Sequence, residues 1–181
     1  MLLSVHDNKD TCEILQPNFS AQNYMGKWYQ IASIPQLYDT NCPRATAEYT
    51  LLSDRINVFN TCYDKSWGIV STITGSGYPE CNPSSIRVVF PFVPQSPFSN
   101  YLIHKTNYRS YSIVGSPTRT SFYILSRRPK MSQSKYLKIL KYAERLGYDS
   151  SKVRPNYHSL STTNSEIPID ENYYCDTCVK H

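Results

Sequence analysis

The sequence GKWYQIASIP at residues 26–35 decides how the rest of this chain can be arranged. Its side chains alternate between two faces of a predicted β-strand, and one face carries Trp28, Gln30, Ala32 and Ile34. Gly26 permits a tight turn into the strand, and Pro35 ends it because proline has no N–H to donate to a neighbouring strand. Both faces carry apolar groups, so we expect both to be covered.

Composition favours a β-rich domain. The chain has 181 residues, which predicts about one domain, and its sixteen tyrosines, twelve prolines and six glycines are typical of strands joined by irregular loops. No apolar run is long enough to cross a bilayer. The net charge of +5 is accompanied by no nucleic-acid recognition motif, so no nucleic-acid partner is predicted.

Alternating patterns outside the first strand predict seven further strands, at 45–51, 55–63, 67–75, 86–90, 101–108, 111–115 and 121–127. The hydrophobic period then changes: Ser132 can cap a helix that runs to about Leu146, and Gly147 suits its end. A short ninth strand is predicted within 153–158. Many strands with short connections indicate a sandwich or an up-and-down barrel, and a closed eight-stranded barrel can hold one small ligand.

Three short segments resemble the signatures of the lipocalins: Gly26-x-Trp28, Ile113–Arg119 and Ile124–Pro129. Thr120 and Ser121 depart from the Asp-Tyr pair that is usual beside the second signature. The order and spacing from Tyr24 to Tyr157 resemble the bacterial lipocalin and apolipoprotein D branch. Fatty-acid-binding barrels, the rival family, place their helices near the start of the chain.

The resemblance implies an all-β fold: an eight-stranded antiparallel up-and-down barrel with one C-terminal flanking helix and a short ninth strand. We predict an N-terminal arm at 1–23, the barrel and helix at 24–158, and a tail with two cysteines at 159–181. In the family, the residues matching Gly26, Trp28 and Arg127 close the barrel floor, with the arginine stacked on the indole.

The expected function is non-catalytic binding or transport of a small hydrophobic ligand, of the fatty acid or lysolipid class, with no cofactor and no metal. Strand parity and the resemblance together predict a set of ligand-binding residues: Ala32, Ala47, Tyr49, Val58, Asn60, Val88, Phe90, Tyr101, Ile103, Tyr123 and Leu125. Among them Asn60 is informative, because an interior amide is costly unless a ligand, water or hydroxyl bonds to it.

The six cysteines are Cys12, Cys42, Cys62, Cys81, Cys175 and Cys178. An even number in a small β-rich chain predicts disulfides and a secreted or otherwise oxidising location. The first residues lack the basic region and apolar run of a signal peptide, so either the leader lies outside this sequence or the disulfides form in another way, and a virus particle is the alternative location. Zinc at Cys175 and Cys178 is disfavoured, since only His158 and His181 lie near them in sequence.

The resemblance implies that the cysteine at the position of Cys42 bonds to one in the tail. The hypothesis is therefore that Cys175 and Cys178 bond to Cys42 and Cys62, in either order, which leaves Cys12 for Cys81.

Two alternative functions stay open. One is an isomerase that uses Cys62 in the same pocket, although no catalytic motif is present. The other is a protein-interaction module that uses the rim loops at 36–44 and 91–100. His104 has the opposite parity to Ile103, so it is expected outside the barrel, where it would not ligate haem. Contact with a membrane surface stays open, and a monomer or weak dimer is expected.

Overall fold

The computed structural model describes residues 15–36, 41–80, 82–157 and 159–161. Eight antiparallel strands follow one another around a barrel, and β1 pairs with both β2 and β8, which closes it. The predicted up-and-down barrel is thus confirmed. Its strands are β1 (Gly26–Ser33), β2 (Arg44–Leu51), β3 (Ile56–Tyr63), β4 (Ile69–Pro79), β5 (Ser85–Val89), β6 (Tyr101–Thr106), β7 (Tyr111–Gly115) and β8 (Phe122–Ser126).

The remaining elements flank the barrel. They are the short helix α1 (Ala21–Tyr24), β9 (Met131–Ser132), the long helix α2 (Gln133–Arg145), a 3-10 turn (Ser150–Lys152), β10 (Arg154–Pro155) and β11 (Leu160–Ser161). As predicted, Ser132 caps α2, since its hydroxyl accepts a hydrogen bond from the Lys135 N–H at 3.4 Å. Gly147 follows the helix with φ +85°, a conformation that side chains with a Cβ rarely adopt. Within the described ranges, no helix has the length and apolar character needed to cross a membrane.

Two separate hydrophobic cores result from the alternation along the strands. The inner core fills the barrel and contains Trp28, Val58 and Leu125. The outer core lies between the barrel wall and α2, where Ile31 and Ile124 meet Ile139. The barrel wall is therefore covered on both faces along β1, as its two apolar faces predict.

Two local differences from the predicted elements have physical causes. The four-residue helix α1 was missed because it is too short to show a hydrophobic period. Strand β4 continues to Pro79 instead of ending at Gly75. Its glycines leave room for side chains of the neighbouring strand and do not mark a loop. A Cβ on Gly75 would lie 2.6 Å from the Phe90 ring, and one on Gly77 would lie 3.2 Å from Ile86. The strand predicted within 153–158 is present as β10, but it has only two residues.

The predicted cysteine pairing is wrong at the barrel rim. Cys42 bonds to Cys62, with their Cα atoms 5.6 Å apart. The physical reason is the register of β2 and β3, which pairs Arg44 with Tyr63 and Ala45 with Cys62 and so brings the two sulfurs together without any help from the tail. Neither cysteine is left for Cys175 or Cys178, and those two, with Cys12 and Cys81, lie outside the described residues.

We predict that non-reducing tryptic digestion yields a linked pair of peptides, residues 28–44 and 56–65. Reduction should separate them. The double change Cys42→Ser and Cys62→Ser should lower the free energy of unfolding by about 3 kcal/mol, because the bond closes a loop with a sequence separation of 20. Recovery of either peptide linked to the tail peptide containing Cys175 and Cys178 would contradict the assignment.

Candidate functional site

A β-bulge in β1 determines which side chains of that strand face the calyx, the interior of the barrel. Gln30 pairs with Leu125 and Ala32 pairs with the adjacent Ile124, so Ile31 is an extra residue in the ladder. The bulge reverses the alternation beyond it. Ala32 consequently lies in the outer core beneath α2, and its prediction as a ligand-binding residue is wrong. Simple alternation from Trp28 could not show the inserted residue.

The floor of the calyx is built around Arg127. Its guanidinium carbon lies 3.7 Å from the centroid of the fully buried Trp28 ring, so the predicted stacking contact is confirmed. The same guanidinium donates hydrogen bonds to five backbone carbonyl oxygens, those of Asn23, Tyr24, Met25, Lys27 and Tyr108. The arginine thus connects the residues at the start of β1 with the turn between β6 and β7 through hydrogen bonds.

The segment before α1 completes this floor. Gln16 crosses the end of the barrel, where its N–H donates to the Ile103 carbonyl at 2.8 Å and its side-chain Oε1 accepts from the Thr106 N–H at 2.8 Å. Phe19 packs edge-on against Tyr24, with the ring centroids 5.3 Å apart. The calyx is therefore closed at this end and any ligand must enter from the other.

We predict that Arg127→Ala lowers the free energy of unfolding by about 3 kcal/mol or more, since it removes the cation–π contact and leaves several carbonyls without a donor. The measurement is urea denaturation followed by circular dichroism. Arg128→Ala is the matched control, because it removes the same charge from the next residue, which is exposed. Equal destabilisation by both changes would show that the stacked geometry has no special contribution.

Three tyrosine hydroxyls meet above the floor. The Tyr101 hydroxyl lies 3.0 Å from that of Tyr24 and 2.9 Å from that of Tyr49, and Tyr24 also donates to the Ser112 hydroxyl at 2.9 Å. A small cavity of about 10 Å³ lies beside these rings and is also lined by Val58 and Val88. This tyrosine layer fills the lower calyx.

Burial keeps the tyrosine layer uncharged. It raises the pKa of Tyr24 from 10.0 to about 12, against the smaller opposing effect of its hydrogen bond with Ser112. Burial likewise raises the pKa of Tyr49, and the pKa of Tyr101 lies well above its ordinary value for the same reason. The layer therefore presents neutral hydroxyl groups to a ligand at physiological pH.

These shifts predict alkaline destabilisation. An ionising group whose pKa is raised on folding contributes stability below its unfolded value, and that stability is lost as the pH rises through the folded value. Tyr24 alone should lower the free energy of unfolding by about 3 kcal/mol as the pH rises from 10 to 12. Urea denaturation across this range measures the loss, and Tyr24→Phe should make the decline shallower. A free energy of unfolding that stays constant to pH 12 would contradict this assignment.

The predicted ligand-binding residues other than Ala32 lie on or beside the inner core. Tyr49, Val58, Ile103 and Leu125 are buried in it, and the partly buried members packed against it are Ala47, Val88, Phe90, Tyr101 and Tyr123. Asn60 shares the inward parity of Val58 and pairs across the ladder with Ala47. Its Oδ1 atom is buried and accepts no hydrogen bond from any described residue.

Several inner-core residues were not predicted. They are Phe19, Tyr24, Met25, Ile56, Ile86, Tyr108 and Val114. Ile56 and Ile86 share the parity of Val58 and Val88, so alternation alone could have found them. Tyr24 could not be found in this way, because it points into the barrel from α1 and not from a strand.

Two residues considered for chemistry have structural roles. Cys62 is bonded to Cys42, which leaves no thiol there for isomerase chemistry. His104 lies outside the calyx, as expected; it is only 2% exposed, and its Nε2 atom lies 2.8 Å from the Tyr148 hydroxyl beneath the segment after α2. A bulge between Ile103 and Lys105 places it there.

Comparison with known proteins agrees with this geometry. The profile of the lipocalin-like domain matches residues 19–158. The chain belongs to the lipocalin family. The outer membrane lipoprotein Blc of Escherichia coli K12 is 33% identical over 138 residues, 75% of this chain and 77% of Blc. Temperature-induced lipocalin-1 of Arabidopsis thaliana is 30% identical over 163 residues, 84% of this chain and 83% of the relative.

Solved structures show the same fold. Insecticyanin from the tobacco hornworm Manduca sexta superimposes on this lipocalin with a TM-score of 0.60 at 18% identity, and the match covers 83% of this chain and 88% of insecticyanin. Lipocalins are typically non-catalytic binders of hydrophobic ligands. The Cys42–Cys62 disulfide is consistent with an oxidising compartment.

Proposed function

We propose that this lipocalin binds and carries one fatty acid, lysolipid or similarly elongated apolar molecule in the upper calyx. The unpartnered, buried Oδ1 atom of Asn60 is the observation that carries the proposal. A buried acceptor without a donor costs about 1–3 kcal/mol, a cost that a ligand can remove by supplying the donor. The partly buried Ala47, Val88, Phe90 and Tyr123 pack against the inner core and offer apolar surface that suits an acyl chain.

The polar atoms of this compartment indicate the kind of head group. Asn60 offers an acceptor, and the tyrosine layer offers neutral hydroxyls that can donate or accept. A ligand that carries a hydroxyl group, such as a lysolipid or a monoacylglycerol, can donate to Asn60. An ionised fatty acid cannot, because its carboxylate only accepts. Ligands with a hydroxyl head group should therefore gain more from Asn60.

The apolar surface that the ligand buries in the calyx limits its binding affinity. About 300 Å² of ligand apolar surface at about 25 cal/mol/Å² gives about 7–8 kcal/mol before the costs of association. Micromolar binding, at about −8 kcal/mol, is near the upper end of what this burial supports. Tighter binding would require the contribution of Asn60 and the tyrosine hydroxyls.

We expect Ala47→Trp to weaken binding by more than about tenfold, because the indole would fill the space beside Asn60 while the strand keeps its pairing. Thr50→Trp is the matched control, since Thr50 is exposed on the opposite face of the same strand. The measurement is fluorescence titration with a panel of fatty acids, lysolipids and monoacylglycerols, after organic extraction of the purified protein.

The Asn60→Leu variant distinguishes the contribution of the ligand's head group from that of its acyl chain. It should leave saturated fatty acids bound and should weaken monoacylglycerols by about tenfold, because the acceptor is lost while the apolar wall is kept. Absence of binding by every panel member, or equal binding by the Ala47→Trp variant, would exclude the calyx as the site.

Contact of the barrel rim with another surface is a second candidate function. The loop after β5 exposes Phe92 and Phe98, the latter by 74%, and Ile69 and Val70 are exposed at the start of β4 on the same end of the barrel. Exposed apolar groups of this kind are typical of protein or membrane contact sites. This second function gains support if the lipid panel does not bind. Secretion, a monomeric or weakly dimeric state and the boundaries of the arm and tail stay predictions.

A further inference from the structure

A second pocket lies at the barrel wall, away from the predicted calyx residues. Its volume is about 100 Å³, and none of the residues predicted to contact a calyx ligand lines it. The pocket exists because β2 and β10 share one edge of β1: β2 pairs with Gly26–Tyr29, and β10 pairs with Ala32 and Ser33. The edge between these two pairings is left open, and the pocket forms beside it.

Two residues that line this wall pocket carry buried donors without acceptors. The Arg44 Nε atom and the Asn156 Nδ2 atom are both buried, and neither has a hydrogen-bond partner among the described residues. The Oδ1 atom of Asn156 faces the Gln30 amide nitrogen at 3.4 Å, which orients the Nδ2 atom away from Gln30. A molecule in the pocket that accepts hydrogen bonds could satisfy these two N–H groups.

Aromatic rings hold the Arg44 guanidinium in place. Its carbon lies 4.4 Å from the centroid of the Trp67 ring and 5.4 Å from that of Tyr157. The Tyr157 N–H donates to the Pro43 carbonyl at 2.8 Å, which fixes this tyrosine beside the start of β2. Because the guanidinium is already held, a ligand would pay little to order it.

The charge of the wall pocket is positive. Arg44 and Lys130 line it, and no aspartate or glutamate is among the described residues that do so. Lys65 adds a third positive charge nearby, with its Nζ atom 5.1 Å from the centroid of the Tyr157 ring. Arginine beside a second fixed donor is a recurring arrangement for binding phosphate or carboxylate.

We propose that this wall pocket binds a phosphate group, either as the free ion or as a phosphate monoester. Its donors come from three separate segments: β2, the segment after β8 and the segment after β10. A phosphate group offers three or more oxygens to these donors, whereas a carboxylate offers two. A volume of about 100 Å³ exceeds the roughly 30 Å³ of one water molecule and accommodates such a group.

The decisive variant is Asn156→Asp in the full chain. It preserves the shape of the side chain and the acceptor facing Gln30, but it replaces the donor with a negatively charged oxygen. The probe is inorganic phosphate, followed by ³¹P NMR line broadening and by calorimetry, with chloride at equal ionic strength as the reference. Phosphate affinity should fall by more than about tenfold in this variant. Arg44→Lys, which keeps the charge but loses Nε, should also weaken binding.

Asn57→Asp is the matched control, because it makes the same chemical change on β3 at the opposite end of the barrel, and it should leave phosphate affinity unchanged. Absence of saturable phosphate binding by the wild type, or an equal loss in Asn57→Asp, would overturn the proposal.

Vesicles of phosphatidylcholine with and without phosphatidic acid then distinguish the two sources of phosphate. Co-sedimentation that requires both phosphatidic acid and Asn156 would identify a lipid head group. Phosphate binding without such co-sedimentation would identify a free ion or a small monoester.

Discussion

The contact between Arg127 and Trp28 is the interaction on which the barrel floor depends. A helix ends with carbonyl groups that have no partner in the helix, and the first strand of this barrel follows directly after one such end. The Arg127 guanidinium donates to the backbone carbonyls of Asn23, Tyr24 and Met25. The Trp28 indole N–H also donates to the Tyr24 carbonyl, at 2.9 Å. The Arg127 side chain, which follows β8, therefore satisfies the carbonyl groups before β1 and also covers the Trp28 indole.

The closed floor sets the depth of the binding site. Because Trp28 and Arg127 fix α1, the Tyr24 ring points into the barrel and its hydroxyl meets those of Tyr101 and Ser112. The rings of Tyr24 and Tyr49 then stack with centroids 5.6 Å apart and fill the lower interior. The proposed ligand would therefore lie next to a layer of neutral hydroxyls, with the buried Asn60 acceptor beside it.

Alternation predicted which side chains face the barrel interior wherever the register is unbroken. Strands β2 and β3 pair without a bulge from Arg44 to Leu51, so Ala47, Tyr49, Val58 and Asn60 face inward as expected. The same reasoning failed for Ala32, since an extra residue in β1 leaves no mark in the hydrophobic pattern. The Cys42–Cys62 bond was missed for a related reason: the resemblance suggested a partner in the tail, whereas strand register determines which sulfurs are close.

The wall pocket has its origin in the same bulge and its neighbouring strands. The ladder between β1 and β2 stops at Tyr29, and β10 takes over the edge only from Ala32 onward, so the backbone of Ile31 would lack a partner between them. The Asn156 N–H and the Ser159 hydroxyl donate to the Ile31 carbonyl instead, at 2.8 and 2.7 Å. Satisfying that carbonyl holds Asn156 against the opening, where its side-chain amide lies near Arg44. The geometry that completes the backbone hydrogen bonding of the barrel thus also brings two unpaired donors into one pocket.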